Sequence, residues 1–357
     1  MVDRGAAVAR RPAPDRLRTM TDRLPASRVV LTGVRSVTHL VYAASWLRHH
    51  VAQVEGVVQV VVLDVGSGFG HARVGEEDVR AYLPEHPRLV VETEVRPGHW
   101  RAPREVDLTL LSIGLPGTRA WTRLVVAGRG RRPKVVVVDE GIGSFGNVRS
   151  RRDAYRRQGG GALRTLVRAG VVSAGGAVLT DVHWSLYEHG RDGWTVREDV
   201  ADEFRRRLSG TSPSAARAVY LTQPWPDIGV MSEATYLAHL VAVREQCAAA
   251  GIGLVLRPHP SEDLERYAGF EVVPGAAPAE LAREVVDSRV VIGSNSTALL
   301  NLAAVHGTPA LRVTAPELAP LEAALTRRQR ALLGTFLPAP VAVGALSAGL
   351  RSMPAEG

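Results

Sequence analysis

One cysteine, Cys247, is all that the 357 residues contain. A lone thiol closes no internal disulfide, which favours a reducing compartment. Its place in an Ala-rich helical stretch makes it a packing residue rather than a nucleophile. Lysine is as scarce: Lys134 is the only one, so the formal charge of +8 is almost entirely arginine. Aromatic residues make up 5% of the chain, and no strand is studded with them. With no zinc-ligand spacing and no basic helix either, the positive charge implies no nucleic-acid partner; an anionic small substrate accounts for it equally well. No uninterrupted apolar run reaches the roughly 18 residues of a membrane span. The first 27 residues are rich in Arg, Pro and Ala and lack a signal peptide's hydrophobic segment. They read as a disordered basic arm on a cytoplasmic protein. Peripheral contact of that arm with an anionic inner membrane face stays open, because clustered arginines attract such a surface.

What is present is an alternation. Short β-branched runs follow Ala/Leu-rich amphipathic runs along the chain, the pattern of βα units with parallel sheets. Strands are expected at "SRVVLTGV", "VVQVVVLDVG", "RLVVETEV", "EVDLTLLSIG" and "PKVVVVDEG", then at "RAVYLTQP", "IGLVLRPHP", "FEVVPG", "SRVVIGSNS" and "PALRV". Helices are expected at "THLVYAASWLRHH", "TRAWTRLVVAG", "SEATYLAHLVAVREQCAAAG", "APAELAREVVD" and "TALLNLAAVHG". Residues 149–171, with many arginines and a glycine triplet, read as a mobile excursion. The chain is too long for one core. It divides into the arm (1–27), an N-terminal Rossmann-like domain (28–205), a Ser/Pro/Ala-rich linker (206–216), a C-terminal Rossmann-like domain (217–340) and a tail (341–357). Two such domains face each other across a cleft, and ligands sit outside the carboxyl ends of the strands.

Three strand ends carry chemistry. "VVVVDEGIGSF" puts Asp139, Glu140 and Gly141 just past a buried strand. Adjacent carboxylates in a buried site repel, which raises one pKa and readies a general base; an acidic turn that caps the next element has the same spelling. "LRPHPSED" holds His259 between two prolines, so the strand must stop there and the imidazole is presented on a stiff turn. It can meet a phosphate or donate a proton, or serve as an ordinary turn residue. Arg257, two residues earlier, is expected to be structural. "VVIGSNSTALLNLA" ends a strand at Gly293 and starts a helix behind Ser294, Asn295, Ser296 and Thr297. Hydroxyls and free N–H groups at a helix start make an anion cradle, and simple N-capping is compatible with it.

Taken together, the three resemble the acidic D/E-D/E-G motif, the HP motif and the serine-rich motif of bacterial sialyltransferases and polysialyltransferases, in the same order. The stretch "YLTQPWPDIGVMSEATYL" is also similar. The resemblance spans roughly residues 28–320 and implies a GT-B-type fold. It implies an inverting, metal-independent transferase that moves sialic acid or a related acid sugar from a CMP-activated donor to a glycan or glycolipid acceptor. Carried over, Asp139 is the base, with Glu140 as the close alternative. His259 contacts the phosphate and acts as general acid. Gly141, Gln223, Pro260, Ser294, Ser296 and Thr297 form the CMP pocket. No cofactor is implied, and no D-x-D clamp or metal-ligand cluster is spelled out. The serine motif departs from a plain pair, and the acceptor-facing stretches match nothing; Arg35, His39 and His71 are the polar residues there. Kdo transferases, CDP-glycerol polymerases and a non-catalytic nucleotide-sugar binder are the competing readings.

Overall fold

The computed structural model describes residues 25–63, 68, 69, 72–94, 102, 104–138, 141–157, 161–212, 217–273, 275 and 277–353. In chain order the first half contributes β1 (Ser27–Thr32), β2 (Val58–Leu63), a short antiparallel pair β3 (Gly68–Phe69) and β4 (Ala72–Arg73), β5 (Leu89–Glu94), β6 (Asp107–Ile113), β7 (Lys134–Val138) and β8 (Val182–Trp184). Six of these form a parallel sheet in the order β5-β2-β1-β6-β7-β8. Its inner strands β1, β2, β6 and β7 are buried on both faces: Val135 to Val138 are all within the core. That burial explains why they read as unbroken valine runs rather than as alternating patterns. The order runs outward from β1 and then resumes on its other side, so the topological switch point lies between β1 and β6.

A hairpin, β9 (Tyr187–Gly190) with β10 (Gly193–Val196), and the helix Glu198–Arg206 close the first half. The second half contributes β11 (Arg217–Leu221), β12 (Gly253–Arg257), β13 (Val290–Gly293), β14 (Ala310–Thr314) and β15 (Val341–Ala342). They form a parallel sheet in the order β12-β11-β13-β14-β15. Its switch point lies between β11 and β13, where the turns that begin at Thr222 and Ser294 emerge.

The two halves share one continuous apolar core, in which Val29, Leu31 and Leu111 of the first belong with Val219, Leu299 and Leu300 of the second. Polar groups stitch the same boundary. Tyr187 donates its hydroxyl to Asn301 Oδ1 at 2.7 Å, and Asn301 Nδ2 donates to the Tyr42 hydroxyl at 3.2 Å. Thr38 Oγ1 donates to Glu280 Oε1 at 3.3 Å, and burial raises the pKa of the Glu280 carboxyl. The helix Arg327–Phe336 crosses back onto the first half. There Gln329 Nε2 donates to the Ile142 carbonyl at 2.9 Å, and Thr326 Oγ1 to that of Phe145 at 3.2 Å.

Four expectations need correcting. Residues 149–171 are not an irregular excursion: the described part is helical, Val148–Arg157 followed by Ala162–Leu179. The segment after residue 340 is not a tail, because β15 completes the second sheet and the helix Leu346–Ser352 buries Leu346 and Leu350 in its core. "FEVVPG" makes only an isolated bridge between Val272 and Leu256. The helix expected at "APAELAREVVD" breaks into the turn Ala279–Leu281 and the short helix Arg283–Val286. The linker causes the break. Ser209 donates its N–H to the Leu281 carbonyl at 2.9 Å and accepts the Arg283 N–H at 2.8 Å. These bonds hold Ala282 extended, at φ −100 and ψ 115. Residues 1–24, the larger part of the expected arm, and residues 213–216 of the linker lie outside the described residues.

Candidate active site

The histidine turn is built on a buried carboxylate. After β12 the chain turns at Pro258, and Glu262 N–H closes onto the His259 carbonyl at 2.9 Å. The Glu262 side chain is buried and accepts three donors: the His259 N–H at 3.0 Å, the Tyr267 hydroxyl at 2.7 Å and the Thr222 hydroxyl. Arg266 approaches the same carboxylate at 3.5 Å. Thr222, the first residue past β11, also accepts the His259 N–H at 3.0 Å. The histidine backbone is thereby clamped to the neighbouring strand. Its ring is fixed too: Nδ1 receives the Ser261 N–H at 3.2 Å and the Ser261 hydroxyl at 2.7 Å. An accepting Nδ1 leaves the proton of the neutral ring on Nε2. Burial lowers the imidazole pKa, only partly opposed by Glu262. The side chain therefore acts near neutrality as an Nε2–H donor rather than as an imidazolium. Pro260 is exposed beside it. Arg257 turns away, and its guanidinium donates to the Val273 carbonyl at 3.2 Å and to that of Ala277, the structural role expected of it.

Glu262 carries no motif of its own and was missed by sequence reasoning; a carboxylate three residues after the turn histidine is the signal that could have found it. Glu262→Ala would remove the buried acceptor of the Tyr267 and Thr222 hydroxyls and one of the two acceptors of the His259 N–H. It is expected to lower stability by about 2–4 kcal/mol, measurable as a shifted urea midpoint. An unshifted midpoint would mean that the turn does not depend on it.

The serine-rich turn lies at the carboxyl end of β13, and the register of both strands with β11 puts Gly293 level with Arg257. Two strand spacings, about 10 Å, separate them, and the Thr222–Gln223 turn lies between. Ser294 and Ser296 are buried. Ser296 occupies the N-cap position of the helix Thr297–His306, but its hydroxyl makes no capping bond. The helix start therefore keeps N–H groups that lack intrahelical partners, together with its positive dipole end. Asn295 is held by the buried Arg312, which also meets Glu322 at 2.8 Å and whose Nε has no partner. Arg312 was likewise missed: within "PALRV" it reads as an ordinary strand residue. Gln223 is half-buried, its N–H donating to the Tyr236 hydroxyl at 3.0 Å. Trp225 of the same turn is buried against Tyr236 and His239, where its large ring contributes to the core.

Asp139 and Glu140 lie outside the described residues. Their neighbours are informative. Val138 and Gly141 are buried at the carboxyl end of β7, and the Ile142 N–H donates to Thr297 Oγ1 across the domain boundary at 3.3 Å. Gly141 has φ +99 and ψ −149, a conformation open essentially to glycine. A Cβ placed there would lie 2.2 Å from Thr297 Cγ2. The end of the acidic motif and the last residue of the serine motif thus touch. Thr297 Oγ1 accepts in that contact and keeps its own O–H to donate, as the Ser294 and Ser296 hydroxyls do.

Of the three acceptor-side residues, Arg35 is exposed and His71 lies outside the described residues. His39 is 6% exposed at the start of the helix Val37–Gln53, its Nδ1 accepting the Arg35 N–H at 3.1 Å. Burial, reinforced by Arg35, pushes its pKa down to about 4. The sign of the linkage follows. Below pH 6.5 the unfolded chain takes a proton that the folded one refuses until about 4, so stability is full above 6.5 and is lost as the pH falls through that window. His39→Gln is expected to remove about 3 kcal/mol of that acid-induced loss. Urea unfolding at pH 4.5 and 7.5 checks it; an equal slope in wild type and variant would refute the assignment.

Two parallel-sheet Rossmann-like domains, joined at strand ends and sealed by a helix that crosses back, define a GT-B-type fold. No family model and no curated protein matches the chain. Among solved structures it is similar to the S. aureus MnaA–UDP co-structure, at 11% identity over 92% of this chain and 87% of that one, with a TM-score of 0.52. Arabidopsis thaliana UGT89C1 complexed with UDP-L-rhamnose shares 11% identity over 92% and 90%, with a TM-score of 0.47. The glycosyltransferase SnogD from Streptomyces nogalater shares 14% over 92% of each chain, with a TM-score of 0.43.

Proposed function

We propose that this chain is an inverting, metal-independent glycosyltransferase that moves sialic acid or a related nonulosonic acid from a CMP-activated donor to a hydroxyl of a glycan or glycolipid. The observation that carries the reading is the contact of Gly141 with Thr297, two strands along the same sheet edge from a clamped, neutral His259. Gly141 directly follows the two carboxylates in the chain, and Thr297 opens a helix whose start suits an anion, which supports a base and an anion cradle in one cleft. Asp139, or Glu140 in its place, takes the proton of the acceptor hydroxyl. The hydroxyl oxygen attacks the anomeric carbon from the face opposite the phosphate, and the bond to CMP breaks as the new bond forms, inverting the centre. CMP carries one phosphate, so the His259 Nε2–H, the Ser294 and Ser296 hydroxyls and the first N–H groups of the helix Thr297–His306 are enough to receive its charge. Gln223 and Pro260 border the nucleotide.

Purified protein incubated with CMP-sialic acid, CMP-Kdo, CDP-glycerol or a UDP-sugar, with and without EDTA, tests the proposal by nucleotide release. CMP release from CMP-sialic acid, unchanged by EDTA, is expected. Release from CMP-Kdo or CDP-glycerol alone would move the chain to one of the competing transferases, and release from the UDP-sugar alone would remove the CMP reading. Binding of CMP without any turnover would leave a nucleotide-sugar binder.

A further inference from the structure

The helix Ala162–Leu179 is inside out for a water-facing element. Surface helices point apolar residues at the core and polar ones outward. Here Thr165, Ala169 and Gly176 are the buried residues, whereas Leu163, Val167, Val171 and Val178 are 76%, 56%, 55% and 75% exposed. At 100° per residue these four, with the exposed Ala174, fall within one stripe less than 90° wide. Leu166, also exposed, borders it. By length and composition the helix could cross a membrane, although only 17% of it is buried. Its first ten residues fall in the stretch that the arginines and glycine triplet make read as a mobile excursion.

The helix is surrounded by positive charge. It packs along the helix Val148–Arg157, which bears Arg149, Arg151, Arg152 and Arg156 against a single carboxylate, Asp153. Arg151 reaches Ser173 at 2.8 Å, and Arg168 lies over the Tyr155 ring at 4.4 Å. Arg149, Arg156 and Arg164 are exposed. The two helices run antiparallel, and the end of the long one is rooted in the domain. Its start follows the arginine-bearing helix after a short connection. Its end runs into Asp181, whose N–H and carboxylate bond the Val135 backbone at 2.9 and 2.8 Å. A Cβ on Gly176 would press on Leu115, two residues past β6, so the helix is rooted at the carboxyl edge of the first sheet, the edge that carries Gly141.

We propose that the helix pair Val148–Arg157 and Ala162–Leu179 is a membrane-docking surface that lies in the plane of an anionic lipid bilayer, the apolar stripe entering the headgroup boundary and the exposed arginines meeting lipid phosphate. Charge decides in favour of lipid: an apolar stripe beside a nearly uncompensated arginine cluster suits a negatively charged interface, whereas apposing a second copy would set like charges together. The inference is independent of the sugar chemistry.

Flotation of the full chain with phosphatidylcholine vesicles, with or without one-quarter phosphatidylglycerol, tests it. Strong binding only to the anionic vesicles is expected, weakened by high salt. Val167→Glu with Val171→Glu, both at exposed positions, should reduce the bound fraction about tenfold while the far-UV spectrum and melting point stay unchanged. Arg149→Gln with Arg156→Gln and Arg164→Gln should reduce it several-fold. A variant with Arg10, Arg11, Arg16 and Arg18 of the N-terminal segment changed to Gln should still float. The proposal is overturned if wild type ignores anionic vesicles, if the glutamate pair binds like wild type, or if only the N-terminal variant loses binding. It falls equally if sedimentation shows a dimer that the glutamate pair dissolves while vesicles go unbound.

Discussion

Gly141→Ala is expected to be among the most damaging single-methyl additions in the chain. The backbone conformation there excludes an alanine at a cost of about 1–3 kcal/mol. The new Cβ would also meet Thr297 Cγ2, Oγ1 and Cβ at 2.2, 2.6 and 3.0 Å. The last of these cannot swing aside, because it sits on the first residue of a helix. Overpacking adds about 1–3 kcal/mol, so a total loss near 3–5 kcal/mol should appear in the urea midpoint, with nucleotide turnover reduced in step. Pairing the change with Thr297→Ala removes Cγ2 and Oγ1 and should return the steric part but not the dihedral part. The coupling read from the double-mutant cycle therefore measures the apposition of the two domains. Strict additivity of the two substitutions would mean that these motifs do not meet.

His259→Ala should do the reverse: little to stability and much to chemistry. The ring is half-buried and, among the described residues, bonded to Ser261 alone, while the backbone clamp by Thr222 and Glu262 survives the substitution. Turnover of the CMP donor is expected to fall by about 10²–10³, and CMP affinity in calorimetry by about tenfold, as for the loss of one hydrogen bond to a charged group. Because burial holds the imidazole below its ordinary pKa, the wild-type rate should not rise on acidification from pH 7.5 to 6.5. Unchanged CMP affinity in the variant would place His259 outside the pocket.

The fold was legible where burial on two faces forces a continuous β-branched run, as in "KVVVV" and "RAVYL", and where proline or glycine ends it. It was illegible where the cause is tertiary. Nothing local in "PAELAREVV" announces that Ser209 will hold Ala282 extended. The two-residue strand at Val341 is too short for any periodicity. The helix Ala162–Leu179 resisted reading because its apolar face looks outward, against the rule by which amphipathic helices are recognised. At the site, the motifs gave His259 and the serine turn, since those residues present chemistry directly. Glu262 and Arg312 escaped because they act on neighbours: one holds a turn, the other Asn295.

The seam between the halves has a consequence for how the molecule comes apart. Tyr42, Asn301 and Tyr187 are hidden from water only while both sheets stand, and one apolar interior runs through the boundary. Loss of either half would bare the other's inner face. The chain should therefore melt in a single calorimetric transition, and a lesion on one side of the seam should loosen amide protons on the far side.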